Sequence, residues 1–496
     1  MIMKKILPLL FIGAALCGET YIPTEDPMPG KWFLDSIRYT RPLVEKNYRA
    51  KLDKLDNPAE RARCAELHSQ LVEEYFSSNR REEEAIEKAL NWPKGDFTWH
   101  NNKFYTRMGC TSWIVTPEVS ATGACMVQKN RDYRNQNLLS LRLFRSAPGR
   151  HKIISVSDLW TTGSGAAMNE KGLMIVQNDP ASRESHSRKV NTGSIMVMRY
   201  VAEHCSTLEE AVATVKKFYS TGICRSGSIY LLADFNKGAI VECTVRHVAA
   251  APVEFAYEVR ANNFLLPGML NYSRRTAKSH LNGANRRFSA SEFLRTTVLN
   301  KGKVSPLDLM DLARLRDPAQ EKEGLRQVCM ANTLCSTMFV PDRMYPEYLS
   351  VAFVALGPPR HTLFLPVAMG LEVLPESLAD SRWGTRALNL ADKLPIDNEF
   401  TAEFKKLETK FANEFFEVRE KARLLLIQNK RADAAKMLTD LFKKQYKEAQ
   451  DLLTVIEKKT AHLPVIQKKA AAPAPAAPKA AAPAAVEKAK EKKKDK

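Results

Sequence analysis

The sequence Gly-Cys-Thr-Ser-Trp-Ile-Val at 109–115, followed by Lys-Asn-Arg-Asp-Tyr at 129–133, decides how this chain is interpreted. If the peptide bond before Cys110 is cut, that residue carries both a thiol nucleophile and a free α-amine that can act as its base. An α-amine has an unperturbed pKa of about 7.7 to 8.0, so it accepts a thiol proton near neutral pH. The motif therefore predicts self-cleavage between Gly109 and Cys110, with Cys110 as the nucleophile.

Gly109 suits the position before the cut. Glycine has no Cβ and adopts backbone conformations that other residues avoid. We expect this freedom to let the Cys110 thiol reach the Gly109 carbonyl and start an N-to-S acyl shift. Water would then release the preceding segment.

The two motifs resemble the start of the mature chain in the cysteine N-terminal nucleophile (Ntn) hydrolases. This group includes the peptidase C45 or isopenicillin N acyltransferase-like proteins, acid ceramidase and N-acylethanolamine acid amidase. It also includes the choloylglycine hydrolases, namely the bile salt hydrolases and penicillin V acylases. Their precursors commonly carry a pro-segment that self-cleavage removes. The resemblance covers residues 105–375.

The resemblance implies roles for residues close to Cys110. Asp132 falls on the family's aspartate and would orient the α-amine. The family's arginine position holds Lys129, which keeps the positive charge but lacks the planar fork of guanidinium donors. Arg131 is the other candidate for this charge.

Three later stretches resemble shorter motifs of the family. Asn178 follows Met-Asn-Glu-Lys-Gly-Leu at 168–173 and lies where these enzymes place an oxyanion-hole asparagine. Arg-Ala-Asn-Asn-Phe at 260–264 is similar to the segment whose asparagine donates to the tetrahedral intermediate, which indicates Asn262, with Asn263 as the alternate. Asn-Arg-Arg-Phe at 285–288 looks like the late arginine motif and indicates Arg287.

The pattern of apolar residues predicts an α+β fold. Short β-rich runs, such as 228–232 and 349–354, alternate with helical runs such as 208–218. Two packed antiparallel sheets between helix layers would accommodate them. The four-layer αββα order of the Ntn hydrolases is what the resemblance implies.

Composition divides the chain after its first residues into four segments. A helical pro-segment over 18–109 precedes a catalytic domain over 110–390, and Asn57-Pro58 is typical of a helix start. Apolar residues that step by threes and fours predict a helical hairpin over 398–463, either packed on the catalytic domain or extended as a coiled-coil arm. Residues 464–496 form an Ala-, Pro- and Lys-rich tail that we expect to be disordered.

Residues 1–17 have the layout of a secretory signal peptide, with Lys4-Lys5 before an apolar run that ends at Leu16. The protein is therefore expected to be secreted or periplasmic. Cys17 is an alternative site of lipidation, although Leu16 is larger than the residue that bacterial lipoprotein signals prefer at that position. Beyond this segment no run of 18 apolar residues occurs, so no transmembrane helix is expected in the mature chain.

The chain has nine cysteines and a net charge of +19, which bear on metal binding and on anionic partners, respectively. The cysteines show neither a Cys-x-x-Cys spacing nor a His-rich neighbour, so no metal is indicated, and no cofactor is implied. From residue 468 onward nine lysines stand against three acids, which places 9 − 3 = +6 of the charge in the tail. No nucleic-acid-binding motif appears elsewhere. We expect a small-molecule amide substrate, no nucleic acid, and contact of the tail with anionic envelope polymers or membrane surfaces.

The sequence thus predicts a secreted, autoproteolytic amidohydrolase or acyltransferase that cleaves linear C–N amide bonds through a thioester on Cys110. Asn262 and the region of Asn178 would hold the oxyanion. Lys129 or Arg287 would tune the charge near the thiolate.

Two other functions fit parts of the sequence. One is a catalytically silent, envelope-binding protein on the same fold, which tolerates Lys129 because nothing depends on an arginine there. The other is a conventional cysteine peptidase that pairs Cys110 with a histidine such as His247 or His280. Cleavage before Cys110 separates both from the main prediction.

Overall fold

A computed structural model of the protein describes residues 19–24, 30–38, 40–42, 45, 58–103, 109–132, 138–144, 149–184, 191–274 and 276–466. The predicted signal peptide with Cys17, and the predicted tail beyond residue 466, lie outside these ranges. Within them, no helix is both long enough and apolar enough to cross a bilayer. The seven cysteines whose state is described there are free thiols.

The secondary structure elements are numbered in chain order. The strands are β1 Tyr21–Pro23, β2 Gly109–Val115, β3 Met126–Asp132, β4 Leu139–Phe144, β5 Ile153–Asp158, β6 Ala166–Asn169, β7 Met174–Asn178, β8 Ser228–Ala233, β9 Gly238–Cys243, β10 Val248–Pro252, β11 Tyr257–Arg260, β12 Thr333–Val340, β13 Val351–Leu356, β14 Leu365–Ala368 and β15 Val373–Pro375. The helices are α1 Lys31–Ile37, α2 Pro58–Leu90, α3 Asp96–Lys103, α4 Ser194–His204, α5 Leu208–Ser220, α6 Ala277–Lys301, α7 Pro306–Ala313, α8 Pro318–Lys322, α9 Pro346–Leu349, α10 Glu376–Ala379, α11 Arg382–Lys393, α12 Phe400–Ile427 and α13 Arg431–Lys459.

Two antiparallel sheets form the centre of the molecule. One has seven strands in the order β10-β9-β8-β7-β6-β5-β4, and the other has six in the order β11-β2-β3-β12-β13-β14. Strands β2 and β3 pack against β7 and β8 across the space between the sheets. Nearly every side chain of these four strands is buried, whichever face it lies on. This is the burial expected when each sheet is covered on both faces.

Helices cover the outer face of each sheet. On the seven-stranded sheet, α4 contacts β6 and β7, and α5 contacts β8, β9 and β10. Helix α5 begins with a capping box between Thr207 and Glu210 and buries the stripe that includes Ala211 and Val215. On the six-stranded sheet, α6 contacts β11, α7 contacts β3, and α12 contacts β14. The predicted α+β class with a four-layer αββα order is confirmed.

The helical hairpin packs on the six-stranded sheet. Helices α12 and α13 contact each other, and both contact β14. Phe404 and Phe411 of α12 are buried. Arg314, which follows α7, forms a buried ion pair with Glu408 of α12 at 2.5 Å. Of the two arrangements considered for this segment, packing on the domain therefore describes the structure.

The described residues of the predicted pro-segment contact the rest of the chain through β1 and through α2, among other elements. Strand β1 pairs antiparallel with β15, near the other end of the chain. The Phe76 ring of α2 stacks on Phe218 of α5 with 5.1 Å between ring centroids. Glu82 of α2 and Arg199 of α4 form a buried ion pair at 2.6 Å. Apolar packing and charge together hold β1 and α2 against the strands and helices that follow residue 109.

Glu83 of α2 is a buried carboxyl group within this interface. Asn101 donates to one of its oxygens at 2.8 Å, and Thr98 donates to the other at 2.7 Å. Burial raises the pKa of Glu83 to about 7, and the charges of Glu87 and Glu82 add to the rise. The folded chain therefore keeps a proton that the unfolded chain loses above a pH of about 4.5. Stabilisation from this proton is complete below that pH and is lost as the pH rises through about 7.

Glu83→Gln is expected to flatten the pH dependence of stability. Because glutamine stays neutral, the fall in the free energy of unfolding between pH 5 and pH 8 should shrink by about 2.5 kcal/mol, measured by chemical denaturation. Glu84→Gln changes a half-exposed carboxylate on the same helix and should keep the wild-type slope. Burial also raises the pKa of Asp380 to about 7. Because Asp380 is unchanged in the wild type and in both variants, it contributes equally to their slopes and does not affect the comparison. A wild-type slope in Glu83→Gln would contradict the assignment.

Candidate active site

Strands β2 and β3 present different side chains to two layers of the fold. Their register pairs Gly109 with Asp132, Cys110 with Arg131, and Ser112 with Lys129. Neighbouring side chains along a strand lie on opposite faces. The face that carries Cys110, Ser112, Lys129 and Arg131 meets the seven-stranded sheet. The opposite face, which carries Gly109 and Asp132, meets α6.

Cys110 is fully buried in the uncleaved chain. Its backbone N–H donates to Asn262 Oδ1 at 2.9 Å. Burial raises the pKa of the Cys110 thiol, and the Lys129 ammonium is the strongest of the charges that oppose this rise. The thiol is therefore protonated near neutral pH before cleavage, and it must lose this proton to become a strong nucleophile.

Two basic side chains lie on the same face as Cys110. Lys129 Nζ donates to the carbonyl oxygen of Gly165 at 3.2 Å and to that of Gln177, and burial lowers the pKa of Lys129. Arg131 Nη2 donates to both carboxylate oxygens of Asp158 at 2.8 Å. The structure thus brings both candidates for the positive charge to the site. Arg131 supplies the planar guanidinium that Lys129 lacks.

Asp132 is held on the opposite face by two partners that the sequence analysis did not identify. It forms a buried ion pair with Arg286 of α6. Thr333 of β12 donates to its other carboxylate oxygen at 2.6 Å. The carboxylate is therefore fixed beside Gly109.

The structure places Arg286 at Asp132, whereas Arg287, the residue indicated by the late arginine motif, has other surroundings. Arg287 is half-buried near Glu242, and burial lowers its pKa. Consecutive residues of a helix project about 100° apart, so the two arginines face different surroundings. Helical spacing accounts for this difference, because it puts Arg286 on the buried stripe of α6: Gly283, Arg286, Ala290 and Leu294.

The predicted oxyanion asparagines occupy different places. Asn178 Nδ2 donates to the carbonyl oxygens of Arg260 and Ala261 at 3.0 Å each. Its Oδ1 accepts a hydrogen bond from Ser112 at 2.7 Å. Asn178 therefore fixes the segment that leads into Asn262, and Asn262 is the one bonded to the backbone nitrogen of Cys110.

Gly109 does not adopt a backbone conformation that only glycine can adopt. It is the first residue of β2, and its φ is outside the left-handed region. Its small size matters through space instead. A Cβ at this position would lie 3.2 Å from Asp132 Oδ2 and 3.7 Å from Arg286 Nη1. Glycine therefore leaves room for the Asp132–Arg286 ion pair.

The two histidines considered for a conventional peptidase contact other groups. His247 Nδ1 lies 2.9 Å from a carboxylate oxygen of Glu184. His280 accepts a hydrogen bond from Asn263 at 2.8 Å. Neither contact involves Cys110, so these histidines give no support to a Cys/His pair.

Comparison with protein families identifies residues 120–340 as a match to acyl-coenzyme A:6-aminopenicillanic acid acyl-transferase. The resemblance to the Ntn hydrolases is thereby confirmed. The match supports activity on C–N amide bonds, as a hydrolase or an acyltransferase. Its range begins after Cys110, so this cysteine is not part of it. Among curated proteins, no match to the sequence was found.

Three similar solved structures each cover about half of this chain. A mutant of the conjugated bile acid hydrolase from Clostridium perfringens is 11% identical with a TM-score of 0.36, covering 52% of this chain and 92% of that one. The Caenorhabditis elegans N-acylethanolamine-hydrolyzing acid amidase ortholog is 15% identical with a TM-score of 0.34, covering 48% and 95%. Penicillin V acylase from Agrobacterium tumefaciens is 16% identical with a TM-score of 0.36, covering 53% and 87%.

Proposed function

From the match of residues 120–340 to the acyl-transferase family, we propose that this protein is a self-processing amidase or acyltransferase whose nucleophile is Cys110. The observation that carries the proposal is the setting of the Gly109–Cys110 bond. Asp132 adjoins Gly109, and Asn262 accepts a hydrogen bond from the Cys110 nitrogen. Asn262 thus contacts the nitrogen that cleavage would convert into a free amine, and Asp132 lies beside the residue on the other side of the scissile bond.

The first step is an N-to-S shift within the chain. The Cys110 sulfur attacks the Gly109 carbonyl carbon, the C–N bond breaks, and the nitrogen gains the proton that the thiol gives up. Water then adds to the thioester carbon and releases Gly109 as a carboxylic acid, which leaves Cys110 with a free thiol and a free amine. The positive charges of Lys129 and Arg131 favour the thiolate as it develops.

Gly109→Ala is expected to slow self-cleavage about tenfold, which corresponds to about 1.4 kcal/mol in the barrier. The added Cβ would meet Asp132 Oδ2 at 3.2 Å, closer than ordinary contact, and would shift the carboxylate from the scissile bond. The measurement is the rate at which purified precursor converts, followed by intact mass. Gly384→Ala is the control, because its Cβ would meet no atom closer than 3.7 Å. Conversion at the wild-type rate in Gly109→Ala would show that the space at Gly109 is not needed.

The second step is turnover of an external amide. The α-amine takes the thiol proton, the thiolate attacks the amide carbonyl, and the ammonium returns the proton to the leaving nitrogen. The acyl group then passes from sulfur to water or to another amine. Asp132 would orient the α-amine. A side-chain N–H of Asn262 would donate to the oxyanion, a contact worth about 2.7 to 4 kcal/mol in measured oxyanion holes.

We also propose that the substrate is a small-molecule amide and that the chain is exported. Export rests on the signal-peptide layout of residues 1–17. Contact of the basic tail with anionic envelope polymers or a membrane surface follows from its charge. Deleting the tail should then release the protein from the envelope fraction, and unchanged retention would refute this contact.

The test of the proposed function is intact mass and N-terminal sequencing of the full-length protein. Under denaturing conditions we expect a chain that begins at Cys110. In gel filtration this chain should stay with the pro-segment, because the Glu82–Arg199 ion pair and the β1–β15 pairing connect the two. Incubation with a panel of N-acyl amines should then add one acyl mass to the Cys110 chain. An intact Gly109–Cys110 bond in folded, exported protein would contradict the proposal and favour the silent binding protein.

A further inference from the structure

The asparagine bonded to the Cys110 nitrogen adjoins a second asparagine that contacts a histidine. Asn262 Oδ1 accepts the Cys110 N–H at 2.9 Å, and Asn262 Nδ2 donates to the Asp179 carbonyl oxygen at 3.0 Å. Asn263 Nδ2 lies 2.8 Å from His280 Nδ1. Because the amide nitrogen can only donate, His280 Nδ1 is the acceptor of this hydrogen bond.

His280 is itself fixed at the start of α6. Its Nε2 lies 3.2 Å from Ser273 Oγ. Since Nδ1 accepts a bond, Nε2 carries the proton and donates it to this hydroxyl. The backbone N–H of His280 donates to the Thr276 carbonyl oxygen at 3.0 Å, in the first turn that Thr276 caps. The imidazole cannot rotate without losing both of its side-chain hydrogen bonds.

Helix α6 also confines Asn263 directly. A Cβ at Gly283, one turn after His280, would lie only 1.9 Å from Asn263 Oδ1. This oxygen is buried and makes no hydrogen bond within the described part of the chain. A buried amide oxygen without a partner costs free energy. The bond to His280 therefore decides which way the Asn263 amide faces.

We propose that His280 is a positioning residue: it orients Asn263 and, through the adjoining backbone, sets the place of Asn262 at the Cys110 nitrogen. Asn178 supports the same segment from the preceding side, through its bonds to Arg260 and Ala261. No proton transfer is assigned to the imidazole. The catalytic consequence rests on the proposed function, whereas the structural consequence does not.

Amide hydrogen exchange in a chain that cannot cleave tests the structural consequence. In a Cys110→Ala background, the amide of residue 110 keeps its acceptor, Asn262 Oδ1. Adding His280→Ala should speed exchange at residue 110 by about tenfold or more while the amides of β7 stay protected. Adding His280→Asn should bring exchange back to within about threefold, because its side-chain oxygen can replace Nδ1 as the acceptor for Asn263. Unchanged exchange with His280→Ala, or faster exchange across the whole domain, would overturn the proposal.

Kinetics with Cys110 present test the catalytic consequence. His280→Ala should lower both the self-cleavage rate and kcat about tenfold at unchanged KM, since it weakens an arrangement used in the reaction and not substrate binding. His280→Asn should recover most of this loss. His247→Ala is the matched control and should behave as wild type. Equal impairment in His280→Ala and His280→Asn would overturn the positioning role. A wild-type chain that never cleaves would refute the proposed function, and the exchange experiment would still decide the place of His280.

Discussion

Cys110→Ala is expected to leave the chain joined at residues 109 and 110 and to remove amide turnover. The variant has no sulfur to attack the Gly109 carbonyl, so neither the thioester nor the free α-amine can form. Loss of a nucleophile that acts together with its base typically costs a factor on the order of 10⁴ or more in kcat. Intact mass reports the missing cleavage, and release of amine from the best N-acyl substrate reports the missing turnover.

Cys335→Ala is the matched control for the loss of a buried thiol. Cys335 lies on β12 opposite Arg131, the same residue that Cys110 faces from β2. Burial raises the pKa of its thiol to about 11. The rates of self-cleavage and of amide turnover in Cys335→Ala should stay within about threefold of wild type. Cys335 neither follows the scissile peptide bond nor acquires a free α-amine. Cleavage at residue 110 in Cys110→Ala would disprove the role of this cysteine.

Arg286→Met is expected to destabilise the protein by about 3 to 5 kcal/mol and to stop self-cleavage. Its ion pair with Asp132 is buried, with only 2% of either side chain exposed. Removing the arginine leaves the carboxylate without its charge partner in a buried position. Thr333 alone would then hold Asp132 beside the scissile bond. Chemical denaturation gives the loss of stability, and intact mass at a temperature where the variant stays folded gives the loss of cleavage.

Arg287→Met is the control for Arg286→Met. It removes a positive charge from the next position of α6 and leaves the Arg286–Asp132 ion pair in place. Arg287 is half-buried beside Glu242, and its Nη1 makes no hydrogen bond within the described residues. We expect Arg287→Met to cost no more than about 1 kcal/mol and to cleave at the wild-type rate. The opposite result would be loss of cleavage in Arg287→Met with normal cleavage in Arg286→Met. It would support the choice of Arg287 made from the sequence and show that the Arg286–Asp132 pair is not needed.

Features carried by adjacent residues were predictable from the sequence. The alternation of β-rich and helical runs predicted the α+β class. The motifs at 109–115 and 129–133 lie on neighbouring strands, which pairs Cys110 with Arg131 and Gly109 with Asp132. The helices over 398–463 follow from their apolar spacing. In each case the signal is a local period or a short hairpin, which fixes the geometry without knowledge of distant contacts.

Features that depend on distant residues were not predictable in this way. Thr333 reaches Asp132 from 201 residues away, and Arg286 from 154 residues away. The choice between Arg286 and Arg287 depends on which face of α6 is buried, and a one-residue error reverses it. The role of Gly109 also changed, because the space beside it is set by the Asp132–Arg286 ion pair and not by its own backbone angles.

The pairing of β1 with β15 places a limit on when the protein can finish folding. Tyr21 lies opposite Pro375, so 375 − 21 = 354 residues separate two paired positions. At translation rates of about 5 to 20 residues per second, the first strand must wait roughly 18 to 70 seconds for its partner. Thr333 and Arg286, which hold Asp132, are also made long after Cys110. The Gly109–Cys110 bond should therefore remain uncut in ribosome-bound chains. The time needed for synthesis would delay activation until the chain is nearly complete.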